Sequence, residues 1–152
     1  MGIVTVKSDL YRAEQTGGPV PDALKVKGVL RRATGKVFNA ASDSAGSIYK
    51  LIKLRSDVIL TERTLFHNAG WGFATTQVGV LGAAAALFTK TTSASTTESP
   101  ITGIEAVSGQ RLWEQLGLSA DPRGEIELVA IAAANATGAG SMPFAVEWID
   151  DL

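Results

Sequence analysis

"RLWEQLGLSADPRGEIELVAIAA", residues 111–133, begins as a helix and ends as a strand. Leu112, Trp113 and Leu116 follow the i, i+1, i+4 spacing of one helical face. Ser108 stands upstream as a candidate N-cap, and Gly117 suits the C′ position, where a helix ends in the left-handed region. "SADPRG" (119–124) turns the chain. From Glu125 the period drops to two: Ile126, Leu128, Ala130 and Ala132 share one face, and Glu125 and Glu127 the other. A single helical turn is too short to form a layer. It is expected to plug an open end of a β structure with Leu112, Trp113 and Leu116, the apolar residues that strands alone leave uncovered.

The surrounding sequence has the strand period. "GKVFNAA" (35–41), "SIYKLIKLR" (47–55), "VILTERTLFH" (58–67) and "FATTQVGVL" (73–81) read as short strands between turn signals. Several carry apolar residues on both faces, as sandwich strands covered on each side do. Val58, Leu60 and Phe66 fall on one face, Ile59 and Leu65 on the other. "TKTTSASTTESP" (89–100) reads as a surface loop, and "NATGAGS" (135–141) as a loop of hairpin length. "FAVEWID" (144–150) aligns Phe144, Val146 and Trp148 and is expected to pair antiparallel with the strand before it. The expected fold is all-β: an antiparallel β-sandwich, jelly-roll-like, with one short helix and an extended N-terminal arm.

The division falls near residue 36, into a basic arm over 1–36 and a sandwich domain over 37–152. "TGGPVPD" (16–22) breaks any element running through the arm. Residues 1–36 hold seven basic and three acidic groups, a net of +4; the other 116 residues hold seven basic and twelve acidic, a net of −5. An extended arm of that length reaches on the order of 100 Å, enough to cross a neighbouring subunit.

The residues offer little for chemistry. There is no cysteine, so disulfides and thiolate chemistry are excluded. His67 is the sole histidine. As a hydrolase base it needs a nucleophile and an orienting carboxylate; the simpler reading is a strand-end histidine making an ordinary hydrogen bond. Glu125 and Glu127 read as a solvated strand face. Asp150 and Asp151 lack a calcium-loop spacing. No phosphate-binding or dinucleotide motif is present, and no apolar run approaches the length of a bilayer span. The expectation is therefore no catalytic residue, no metal, no cofactor, no small-molecule substrate and no membrane contact. The candidate residues are instead interfacial: Arg12, Lys25, Lys27, Arg31 and Arg32 as a basic patch, and Trp71 in "AGWGF". An acidic protein surface is favoured over nucleic acid, because residues 24–36 hold no stacking aromatic and the sequence pI is about 5.8. Trp71 has two readings, a lid on the core and an interface anchor.

The order and texture of residues 36–149 resemble a small virion protein of tailed bacteriophages, encoded beside the major capsid protein. The stretches that carry the resemblance are "AGSIYKLIKLRSDVILTERTLF", "QVGVL" and "RLWEQLGLSADPRGEIELVA". The resemblance implies a capsid cement or decoration protein, β-rich, often trimeric and without enzymatic activity. It also implies a location on the capsid surface after synthesis in the host cytoplasm, with the major capsid protein as partner. The alternative reading is a receptor- or glycan-binding module on a virion.

Overall fold

A computed structural model of the chain describes residues 28–92 and 97–150. Among these residues, nine strands and two short helices occur in the order β1 (Val29–Asn39), β2 (Ile48–Arg55), β3 (Ile59–Leu60), β4 (Leu65–His67), β5 (Thr75–Val80), β6 (Ala83–Thr91), β7 (Thr97–Glu98), α1 (Gly103–Ser108), α2 (Leu112–Gln115), β8 (Glu125–Ile131) and β9 (Gly140–Asp150). Every strand pairing is antiparallel. One sheet runs β1-β9-β4-β7, with β3 also on β9; the other runs β2-β8-β5-β6. The expected all-β sandwich is the architecture present.

The core lies between the sheets. Leu60, Phe66, Val78, Leu128, Met142 and Val146 are buried completely. Phe66 lies between Phe88 and Phe144, with ring centroids 5.9 Å and 6.3 Å away. Offset stacking of this kind adds to burial, which itself stabilises by about 1.5–3 kcal/mol per large apolar side chain.

Several sequence expectations change. "FAVEWID" belongs to β9, whose partners are β1, β3 and β4; β8 pairs with β2 and β5. The loop before β9 therefore crosses between sheets and closes no hairpin. Period-two patterning fixes the face a residue presents, and it carries no information about the neighbour. The run 58–67 is two strands separated by a turn in which the Thr64 amide donates to the Thr61 carbonyl, 3.0 Å. That turn docks on β9: Thr61 Oγ1 donates to Glu147 Oε1 at 2.8 Å, and Thr64 Oγ1 donates to the Glu147 carbonyl at 3.1 Å. Glu147, 5% exposed, thus has a partner for one carboxylate oxygen and for its carbonyl. The Ala-rich run 83–91 is a strand, joined to β5 through Leu81 and Gly82, the glycine at φ 87°. "TESP" begins with a short strand, β7, in place of a continuous loop.

The opening stretch holds its main reading. Leu112 and Leu116 are buried at 0% and 4% and cap the sandwich end, while Trp113 is half-buried against the same cluster. Gly117 takes φ 68° directly after the helix. The N-cap is Arg111, whose amide donates to Glu114 Oε2 at 2.8 Å. Ser108 instead closes α1, a helix missed because its signal is the short pattern Thr102-x-x-Glu105. The Thr102 amide and hydroxyl both donate to Glu105 Oε2, at 2.7 and 2.8 Å.

The α2 cap also completes β3. Gln115 Oε1 accepts from the Leu60 amide (3.1 Å), and Gln115 Nε2 donates to the Leu60 carbonyl (3.0 Å). The Leu112 amide donates to the Val58 carbonyl at 2.7 Å. The helix sits before β8 because its backbone and one glutamine supply partners that a two-residue strand otherwise lacks.

Candidate interaction surface

The boundary drawn at residue 36 falls inside β1. Residues 29–36 pair with β9 along their whole length, from Val29↔Asp150 to Lys36↔Pro143. Arg12, Lys25 and Lys27 lie outside the described residues. Arg31 and Arg32 lie on β1 and, being adjacent in a strand, point to opposite faces.

Arg31 joins a charged cluster at one end of the sandwich. Its Nε lies 3.7 Å from Asp150 Oδ2. Arg55 Nη1 donates to Asp150 Oδ1 at 3.2 Å, and Arg55 Nη2 pairs with Asp57. Asp57, Asp121 and Arg123 line a cleft of about 320 Å³ with Arg55, Ser56 and Gly124. Hydrogen bonding from Ser56, then from the Arg123 amide, holds the Asp121 carboxyl below its usual pKa. Charges of both signs alternate here, so the cluster neutralises itself and ties β1, β2 and β9 together.

Arg32 points away from the core. The outward face of β1 carries Leu30, Arg32, Thr34, Lys36 and Phe38, each spaced by two. Leu30 is 57% exposed and Phe38 70%. The Lys36 ammonium lies 5.8 Å from the Phe38 ring centroid, within cation–π range. Among the described residues β1 is the edge of its sheet, and β2, which packs beside it, is the edge of the other. The two edge strands carry Arg31, Arg32, Lys36, Lys50, Lys53 and Arg55, with no acidic residue between them. Lys50 reaches Glu127 at 3.5 Å.

Trp71 takes the lid position. It is 6% exposed and packs edge-on against Tyr49, with centroids 4.9 Å apart, and beside Phe73 at 5.3 Å. The glycines around it serve close approach: the Gly72 amide donates to Asn39 Oδ1 (3.0 Å), and Gly72 has no room for a Cβ against Gly138 and Asn39. Tyr49 donates to Asp43 Oδ2 at 2.6 Å. Desolvation first, and the Asp43 carboxylate second, push the Tyr49 phenol up to about 12.

His67 is exposed, and its Nδ1 sits 2.7 Å from Thr97 Oγ1, the ordinary strand-end hydrogen bond of the simpler reading. Glu125 and Glu127 face away from Ile126 and Leu128 as expected. Among the described residues no group of three potential ligands is placed to hold a metal ion, and no helix is long and apolar enough to cross a membrane. Among the exposed apolar residues that sequence reasoning missed, Leu30 and Phe38 share the outward face of β1. Their spacing by eight on one strand face was legible only once 29–39 was known to be a single strand.

No protein-family model matches the chain, and no curated protein does. Among solved structures, a chain of the cyanophage Pam1 capsid asymmetric unit is similar in fold, with a TM-score of 0.57 and 18% identity. The match covers 97% of this chain and 99% of that one. The likeness is one of architecture, a two-sheet antiparallel sandwich carried by a largely different sequence.

Proposed function

We propose that this protein is a non-enzymatic capsid cement, or decoration, protein of a phage head. The observation that carries the reading is the near full-length likeness to a chain of a phage capsid asymmetric unit. A sandwich whose charged cleft is self-neutralised and whose edge strands expose Leu30, Phe38 and Ile48 suits a part that binds other proteins. The reading assigns the protein to the outer capsid surface, with the major capsid protein as partner and a homotrimer as the working form. Adjacent capsid subunits are held together by several equivalent contacts, so each contact can be weak while the assembly is firm. The basic groups Arg12, Lys25 and Lys27 extend the contact beyond the sandwich.

Co-sedimentation with assembled heads tests this. Stoichiometric recovery with heads, and a trimer by sedimentation velocity, is the expected outcome. Absence from the head fraction together with binding to host cells or polysaccharide would instead favour the receptor module. A truncation that probes the arm should end at residue 28, because removal of 29–36 takes away most of β1 and unfolds the sheet edge.

A further inference from the structure

We infer that the outward edge of β1 is a docking site for an extended acidic segment of another protein, which adds as a further strand beside it. Three observations combine. First, β1 is an eleven-residue edge strand among the described residues, and an edge presents a row of unpaired amides and carbonyls that a partner strand can complete. Second, its outward face reads apolar, basic, Thr, basic, apolar, from Leu30 through Arg32, Thr34 and Lys36 to Phe38. Cross-strand neighbours interact directly, so the matching strand carries acidic residues opposite Arg32 and Lys36 and apolar residues opposite Leu30 and Phe38. Third, Arg32 and Lys53 make no ion pair among the described residues, and Lys36 has only the Phe38 ring.

The same features choose between occupants. Basic residues on an edge strand commonly serve to prevent self-pairing, and two β1 edges brought together would oppose like charges. That disfavours a second copy docked edge to edge. An edge made only to repel has no use for Leu30 at 57% and Phe38 at 70% exposure, since large apolar side chains on an open edge invite association. Charge selects the partner and the two apolar residues anchor it. Nucleic acid would meet Arg32 and Lys36 with its phosphates and stack a base on Phe38, but it has no peptide amides and carbonyls to complete the open edge.

The inference deepens the cement reading by naming the surface and the partner chemistry, and it is tested apart from it. The probe, called the Val/Glu peptide, is a nine-residue synthetic peptide with Val at positions 1 and 9, Glu at 3 and 7 and Thr elsewhere, so that both residue types share one strand face; it is titrated into the labelled full chain and followed by amide NMR shifts and hydrogen exchange. Shifts and slowed exchange along 29–39 are expected. Arg32→Glu combined with Lys36→Glu should weaken binding at least tenfold, and Phe38→Ala about fivefold. A Val/Lys peptide, and the Val/Glu peptide N-methylated at alternate residues, should both bind at least tenfold more weakly. Equal binding of the N-methylated peptide overturns strand addition. Equal binding of the Val/Lys peptide overturns the acidic choice, and tighter binding of single-stranded DNA than of the Val/Glu peptide makes the edge a nucleic-acid site. In the capsid assay, a double variant that co-sediments like wild type overturns the docking site and leaves the cement reading standing. If neither protein co-sediments while the peptide still binds β1, the cement reading fails and the docking site holds.

Discussion

The α2 corner and the β1 edge are built from similar residues and do opposite things. At the corner, Leu112 and Leu116 are buried and Gln115 satisfies both polar groups of Leu60. At the edge, Leu30 and Phe38 are exposed, and among the described residues the strand has no hydrogen-bonded strand partner on one side. A buried polar or apolar group that has its partner holds the fold together, and removing it is costly. An exposed apolar group beside an open ladder adds little to the fold and is free to hold something else. The comparison separates residues that keep the sandwich folded from residues that can bind.

Substitutions can break that separation. Leu112→Ala is expected to cost about 2–5 kcal/mol in chemical denaturation, the range for truncating a buried leucine. Gln115→Ala strands a buried amide and carbonyl and should cost about 2–4 kcal/mol, taking roughly 1–2 kcal/mol for each group, the lower part of the range for a stranded buried group. Trp113→Ala should cost about 2 kcal/mol, below the roughly 3–5 kcal/mol of a fully buried aromatic, because the ring is half-buried. Phe38→Ala should change stability by less than about 0.5 kcal/mol, as for other surface positions. A loss above about 1 kcal/mol at Phe38, measured in the same denaturant series, would make the edge structural and erase the contrast.

A pH dependence is expected at the Tyr49–Asp43 pair. The Tyr49 pKa is raised to about 12 from 10.0, so the folded state favours the protonated phenol. Its contribution is fully present below pH 10 and is lost as pH rises through about 12. Stability measured from pH 8 to 12 should therefore fall in that window, and Tyr49→Phe should flatten the fall. An unchanged profile in the variant would assign the loss to other groups.

The sequence predicted faces well and neighbours poorly. The inward set Val58, Leu60, Phe66, Ile126, Leu128, Phe144 and Val146 followed from alternation alone, and each is buried, while Trp148, aligned with the last two, is half-buried. Gly117 was legible because a helix end in the left-handed region selects glycine. For the interface, Arg31 and Arg32 looked alike as a basic pair. Strand geometry sends Arg31 to Asp150 and Arg32 to the open face, a difference that appears only once β1 is known to be a strand paired with β9. Trp71 could have faced either way, and the close packing of Gly72 and Gly140 around it turned it inward.

By itself the sequence determined the all-β class, the capping role of 111–117 and the lack of a catalytic motif, because period, turn chemistry and residue type act locally. The tertiary structure decided which strands are neighbours, which edges stay open and which charges find partners. Those outcomes rest on contacts such as Thr61 with Glu147 and Arg31 with Asp150, between residues far apart in the chain, and no local pattern encodes them.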